Sequence, residues 1–452
     1  MRGLQPRSQR QRLLLRLVRR PNQRQMRKVL AKIHPADIAE IFVLLTPDEQ
    51  QRLFGHLLDQ RLAARTLREL DADTQRQVLS TLADDQLAAI LARLNLDDAA
   101  DLAALLDEER RTQILGQLDR VLATRLTNLL RYGEATAGGI MNPDVVSFSA
   151  EETVAGTLEH IRRLAGNRRL FYLYITGEHG HLVGIVNLWQ LVTAEHDRRL
   201  REIMSADVVA VQVETPQEEV ARIASRYDLL MLPVVDEEGH LVGAITVDDV
   251  LDVVQEEATE DIYHLANLDT QEGIATPVGR SFRLRLPWSL INLATAFLAA
   301  GVVGLFQETI AKYVMLAVFM PVVAGMGGNA GTQSLTVMVR GLALGEMDLR
   351  RTGTVVARQV MVGTLLGFAT GSLLGLVAWA WDRNPVLAAI LLFAQTINLT
   401  IAGLFGATVP LVLRRLKLDP ALGSSIFVTT ATDTCGFLAF LGTATLLIDR
   451  LH

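Results

Sequence analysis

Apolar and polar positions are segregated along this chain. Charge is concentrated in residues 1–280, and five later stretches are long and nearly uncharged: Pro287 to Gln307, Tyr313 to Val339, Gln359 to Trp381, Asn384 to Leu413 and Pro420 to Ile448. A helix needs ~20 apolar residues to cross the hydrocarbon core of a bilayer, so each stretch predicts one transmembrane helix. Ahead of them a leucine recurs every twelve residues, at Leu58, Leu70, Leu82, Leu94, Leu106, Leu118 and Leu130. Asp59, Asp71, Asn95, Asp107 and Asp119 follow most of these leucines and are residues that stop or cap helices. Twelve residues make one short helix and a turn, so the pattern predicts a stack of small helices, each burying its leucine against its neighbours.

A second repeat has another period. "IMNPDVVSF" from Ile140 returns as "IMSADVVAV" from Ile203, and "GHLVGIV" from Gly180 returns as "GHLVGAI" from Gly239. Each copy also holds a helical stretch and a strand ("FYLYIT", "MLPVV"). The two copies resemble the pair of cystathionine-β-synthase-type (CBS) domains, a regulatory module with a cleft between its copies. In that family a small hydroxyl residue followed three positions later by an acid holds a nucleotide ribose. The second copy offers Thr246 and Asp249 for this, and the first has Gln190 where the acid would stand.

Composition agrees with a chain of two parts. Of 452 residues, 50% are hydrophobic and 21% charged, and the formal net charge is −6. The flanks of the apolar stretches fall into two sets. One carries Arg280, Arg283, Arg285, Arg340, Arg350, Arg351, Arg358, Arg414, Arg415 and Lys417; the other carries Lys312, Arg383 and Arg450. Positive flanks stay cytoplasmic, so the N-terminal region is expected in the cytosol and the C-terminus outside. The single cysteine, Cys435, excludes an intramolecular disulfide framework. Arg16 interrupts the apolar run "LLLRLV" and no small-residue cleavage site follows, so residues 1–33 read as a basic amphipathic start and not a secretion signal. Anionic lipid, an acidic domain or plain solvent could face it. No placed nucleophile and base, P-loop or histidine cluster is evident, so an enzyme is not expected, and neither is a nucleic-acid partner.

The candidate chemistry lies in carboxylates. Between Ser205 and Asp261 stand fifteen acids and two basic residues, Arg222 and Arg226. At helical spacing Asp249, Asp252, Glu256 and Glu260 share a face, with Glu257 and Asp261 beside them. Like charges at this spacing repel by ~0.2–0.5 kcal/mol per pair unless cations lie between them. Oxygen donors with no interleaved His or Cys cluster point to magnesium, calcium or manganese, and away from zinc and copper. A further pair, Asp97 and Asp101, one helical turn apart, could face this acidic module.

Within the last apolar stretch Ser425, Thr429 and Asp433 are spaced by four, forming one polar stripe, and Asn329, Thr332, Gln333 and Thr336 form another in the second stretch. An ionisable group in mid-bilayer costs ~2.5–3.5 kcal/mol on insertion scales, so such residues face cavities or pathways. Two stripes imply a hydrated path.

The order of parts, with "HPADIAE" from His34, the CBS pair, "DDVLDVVQEEATEDI", "GGNAGTQ" and "TTATDTCG", resembles the MgtE family of magnesium channels and transporters over nearly the whole chain. The resemblance implies an all-α helical superhelix, an α/β CBS-domain pair and an α-helical membrane domain with five transmembrane helices. The expected partition is a basic N-terminal helix over 1–33, a helical N domain over 34–136, CBS domains over 137–200 and 201–254, an acidic connecting (plug) helix over 255–280 and a pore domain over 281–452. It further implies a homodimer in the cell membrane, with a pore on the dimer axis between the second and fifth helices. Asp433 would be the ion site, lined by Asn329, Thr332, Thr336, Ser425 and Thr429. Magnesium would be sensed by Glu218, Asp228, Asp249, Asp252, Glu257, Glu260 and Asp261, with Asp97, Asp101 and Gly138 from the N-terminal side. ATP is the implied modulator and Mn2+ and Co2+ the competing cargo. Pro216 stands where a sensing acid is expected, and Thr332 and Ser425 stand where the family has Asn. Two other readings stay open: a proton-coupled divalent-cation transporter with Asp433 as carrier, and a nucleotide-sensing scaffold anchored in the membrane.

Overall fold

The computed structural model describes residues 9–19, 23–42, 44–59, 62–164, 171–273, 276–347 and 352–451. Arg350 and Arg351, which entered the charge comparison of the flanks, lie outside the described residues. The chain divides into two units, Met1–Val253 and Val254–His452.

Capping chemistry punctuates the first part of unit one. Its short helices include Pro47–Asp59, Ala63–Arg68, Ala72–Thr81, Asp84–Leu91, Leu96–Ala104, Glu108–Leu115 and Arg120–Leu129. The carboxylates of Asp71, Asp107 and Asp119 accept from the backbone N–H groups of Thr74, Arg110 and Val121 at 2.9–3.0 Å, satisfying donors that a helix start leaves unpaired. Asn95 occupies the same position without a side-chain bond, and Asp59 ends a helix instead of starting one. Leu70, Leu82 and Leu106 are buried, and Leu58, Leu94, Leu118 and Leu130 pack partly buried against the same core. In the helix Gln9–Arg19, Leu14, Leu17 and Val18 are buried in that core too, while Arg10, Arg12, Arg16 and Arg19 stay outside. The apolar face of this basic helix is therefore spent on the helical domain.

The repeated α/β unit folds twice alike. Strands β1 (Ser147–Ser149), β2 (Tyr172–Thr176) and β3 (Leu182–Asn187) form one sheet, and β4 (Val211–Gln212), β5 (Met231–Val235) and β6 (Leu241–Thr246) form the other. In each, the first pair is parallel and the second antiparallel. The copies exchange their leading segments. Asn142 and Ala244 bond reciprocally through their backbones at 2.9–3.0 Å, as do Ile185 and Ser205. Met141 fills the space beside Gly243 while Met204 fills that beside Gly184; a Cβ on either glycine would come within 2.5 Å of the methionine sulfur. The acidic helix Val247–Leu265 begins directly after β6, and the next helix starts at Val278. Within the stretch expected to connect the domains over 255–280, the first helix thus ends at Leu265 and is continuous with the second CBS copy.

Unit two holds five helices long and apolar enough to cross a membrane: Val278–Leu305, Met315–Ala343, Thr352–Asp382, Pro385–Arg415 and Ser424–Leu446. Each overlaps one apolar stretch of the sequence. The third and fourth pack along a ladder of small residues, in which Gly363, Gly367, Gly371 and Gly375 are buried and a Cβ at Gly363 would lie 2.2 Å from the Leu399 carbonyl oxygen. Such spacing lets two backbones touch where side chains would hold them apart. The first helix is the least covered, with Leu290, Phe297 and Leu298 more than half exposed.

Candidate ion path and acidic sensor

In unit two the polar stripes take distinct positions. Asn329, Thr332, Gln333 and Thr336 are exposed on the second membrane helix, although the same helix buries Val323, Gly327, Gly331, Ser334, Leu335 and Met338. Ser425, Thr429 and Asp433 are half-buried on the fifth. Asp433 lies nine residues past Ser424, about 14 Å along the helix at 1.5 Å per residue. Thr332 and Thr336 turn their hydroxyls onto the Gly328 and Thr332 carbonyls of their own helix at 3.0 and 2.9 Å, leaving hydroxyl lone pairs outward. Such a face is costly against lipid tails and suited to hydrated cations.

Behind this face stand two residues that hydropathy does not reveal. Gln395 and Asn398 on the fourth membrane helix are 1% and 0% exposed. Asn398 donates to the Val323 carbonyl at 2.8 Å and is received by two glycines: a Cβ at Gly327 would lie 2.4 Å from its Nδ2, and one at Gly436 2.8 Å from its Cγ. The amide therefore fixes the separation of the second and fifth helices on the side opposite the exposed stripe.

Connections from the acidic helix reach the start of the fifth membrane helix. His264 pairs through Nδ1 with Asp419, and its Nε2 lies 3.7 Å from Glu260. The Asn267 amide donates to the Ser425 hydroxyl at 2.8 Å. Glu257 and Asp261 are half-buried on the same helix. Neither His264, Asn267 nor Asp419 stood out in the sequence, because each acquires meaning only from a partner some 155 residues away.

Unit one gathers the other acids into two places. Asp97 and Asp98, in the first turn of Leu96–Ala104, come within electrostatic reach of Asp248 and Asp249 at the start of Val247–Leu265. Burial pushes the carboxyls of Asp97, Asp98 and Asp249 up to about 6, and the neighbouring acids add to the effect. Arg68 is the cation that opposes this at Asp98, 3.5 Å away. Asp252 is raised as well, by burial and then by Asp248. Asp101 is exposed one turn beyond Asp97. Gly138, buried, donates its N–H to the Val213 carbonyl at 2.8 Å. The second place is the helix Gln217–Arg226, where Glu218 is exposed in the first turn and Asp228 exposed just past the end with φ 51°.

The nucleotide candidates bond one another: the Thr246 hydroxyl donates to Asp249, and Asp249 accepts the Thr246 N–H at 3.3 Å. In the first copy Gln190 forms a capping box with Asn187.

Known proteins place this architecture. A family of divalent cation transporters, MgtE, matches residues 320–443; the MgtE intracellular N domain matches 33–135, and CBS domains match 137–197 and 200–256. The magnesium transporter MgtE of Thermus thermophilus is 37% identical over 95% of this chain and 96% of its own length. That of Bacillus subtilis is 30% identical over 95% of each. Among solved structures, the cytosolic domain of the Mg2+ channel MgtE in complex with ATP is 37% identical, has a TM-score of 0.51, and covers 53% of this chain and 98% of its own. The soluble part of a magnesium transporter is 29% identical with a TM-score of 0.50 over 55% of this chain and 98% of its own. The chain belongs to the MgtE family of divalent cation transporters.

Proposed function

We propose that the chain carries magnesium ions into the cell through a path lined by Asn329, Thr332, Thr336, Ser425, Thr429 and Asp433, and that magnesium bound to the cytosolic acids closes it. The observation that carries this reading is the exposed polar stripe of the second membrane helix together with half-buried Asp433 on the fifth. In a membrane that stripe needs cover that is not lipid, and a second copy of the chain, facing it across a twofold axis, supplies it and doubles the carboxylate. Magnesium sheds its water reluctantly, so hydroxyls, amides and two carboxylates suit a hydrated ion better than a closed protein cage. Mn2+ and Co2+ are the competing cargo.

Sensing follows from charge. Asp97, Asp101, Asp249 and Asp252 form one oxygen-donor group, Glu218 and Asp228 another, and Glu257, Glu260 and Asp261 a third. Cations bridging them hold the closed state; without cations, repulsion opens it. The membrane is the cell membrane, with the N-terminal region in the cytosol. ATP is proposed as a modulator at Thr246 and Asp249, supported by the relative solved with ATP. Because these two side chains bond each other here, nucleotide has to exchange those bonds, and at Asp249 it competes with the sensing role.

The test is magnesium uptake into proteoliposomes loaded with a magnesium-sensitive dye. Asp433→Asn is expected to abolish uptake while leaving the protein assembled. Uptake at the wild-type rate would overturn the pore assignment.

A further inference from the structure

The two hairpin tips of the CBS pair carry histidines that the repeat places at equivalent positions, His181 before β3 and His240 before β6. The copies' pseudo-twofold relation brings them together. Their backbones form a bridge, Leu182 donates to the Gly239 carbonyl at 3.1 Å, and the imidazoles stack with centroids 4.2 Å apart and planes inclined by 22°. Acids surround the second ring. Asp236 Oδ1 accepts the His240 N–H at 2.7 Å, Asp236 Oδ2 lies 2.9 Å from His240 Nδ1, and Glu238 Oε2 lies 4.0 Å from the same nitrogen. The three ligand atoms are within 4.8 Å of one another.

We propose that this tip cluster binds a borderline divalent transition-metal ion of the zinc type, through His240 Nδ1, Asp236 and Glu238, with His181 stacked as its flank and water completing the shell. The donor set separates it from the carboxylates proposed to sense magnesium in unit one, Asp97, Asp101, Asp249 and Asp252, which offer oxygen alone: imidazole nitrogen favours zinc, cobalt and nickel over magnesium. The spans fit. A tetrahedral centre with bonds of about 2.0–2.1 Å has ligand-to-ligand edges of about 3.3–3.4 Å; the observed separations of 2.9 and 4.0 Å from His240 Nδ1 bracket that value, and a rotamer adjustment of the exposed Glu238 side chain closes the site. Binding at Nδ1 replaces the contact between His240 and Asp236, with the imidazole proton carried on Nε2. Since the flank comes from one copy and the ligands from the other, an ion there ties the two hairpins and gives the regulatory pair an input that magnesium does not supply.

The experiment uses purified full-length protein in detergent, saturated with Mg2+ so that the oxygen-donor sites are filled, and titrated with Co2+. The expected result is the ligand-field absorption of low-symmetry four-coordinate Co2+, displaced by Zn2+. His240→Ala removes it, and His181→Ala, which takes away the stacked flank, weakens affinity about tenfold. Glu238→Gln, at a side chain 72% exposed and so unable to disturb the fold, also weakens it. His196→Ala, at an exposed histidine outside the cluster, leaves it intact. Absence of the bands in the wild type, or equal titrations of wild type and both Glu238→Gln and His240→Ala, would overturn the site.

Discussion

The side-chain amide of Asn267 donates to the hydroxyl of Ser425 across 2.8 Å, joining the segment that follows the acidic helix to the first turn of the helix that carries Asp433. Asn267 holds φ at 56°, a conformation that glycine also adopts freely, so Asn267→Gly removes the bond without straining the backbone. A neutral hydrogen bond contributes about 1 kcal/mol, which corresponds to roughly a fivefold change in an equilibrium. Under the proposed regulation, with this bond made in the closed state, Asn267→Gly is expected to raise the magnesium concentration for half-inhibition of uptake about fivefold. Ser425→Ala does the same, and the double variant adds nothing more.

The raised carboxyls of unit one make its stability depend on pH. Asp97, Asp98 and Asp249 sit at about 6 in the folded protein against about 3.9 when unfolded, so between those values the folded state holds more protons. Stability in magnesium-free buffer therefore falls as pH rises from about 4 to 6, and the loss is complete above that range. Thermal unfolding of unit one without magnesium is expected at lower temperature at pH 7 than at pH 5, by about 2–4 °C per kcal/mol. Magnesium raises the midpoint more at pH 7 than at pH 5. An equal magnesium increment at both values would separate the metal from these acids.

Asn398 predicts a compensation. Gly327→Ala drives a methyl to 2.4 Å from the Asn398 amide and is expected to cost about 1–3 kcal/mol of stability in detergent. Asn398→Ala loses the bond to the Val323 carbonyl but opens that space. Joined, the two changes cost less than their sum, and the melting temperatures of the four proteins check it. Additive losses would mean that the amide and the glycine do not share the space.

Neutralising the acidic stripe by Asp252→Asn, Glu256→Gln and Glu260→Gln removes ligands and repulsion together. A ligand shifts an equilibrium only by its differential affinity for the two states, so sensitivity falls whichever effect on the open state is larger. Protection of unit one from protease by magnesium is expected to weaken, and the half-inhibiting concentration to rise roughly fivefold or more. Unchanged protection and midpoint would make the stripe a solvated face.

What the sequence could disclose divides along a physical line. Hydropathy and period are properties of neighbours in the chain, so the five apolar helices, the capping aspartates and the doubled α/β unit were legible in advance. The facing of Asp97 toward the acidic helix was anticipated from charge alone. Gln395 and Asn398 were not, because a helix apolar on every side does not say which side is covered, and two amides among leucines barely change its mean hydropathy. The histidine cluster did not stand out although "GHLVG" occurs twice: Asp236, Glu238 and His240 fall within "DEEGH", which reads as an ordinary polar turn, and the stacking of His181 on His240 arises only from the symmetry of the fold. His264 and Asp419 were hidden in the same way.

The exchange in which Met141 lodges beside Gly243 and Met204 beside Gly184 makes the two CBS copies mutually incomplete. Each sheet's outer neighbour is supplied by the leading segment of the other copy, through the paired bonds of Asn142 with Ala244 and of Ser205 with Ile185. A chain severed between the copies would expose a methionine, an empty groove and an unpaired backbone edge on each half, the combination that drives aggregation. The pair is therefore expected to melt in one step and not two, with a force or ligand acting on one copy felt by the other through these shared contacts.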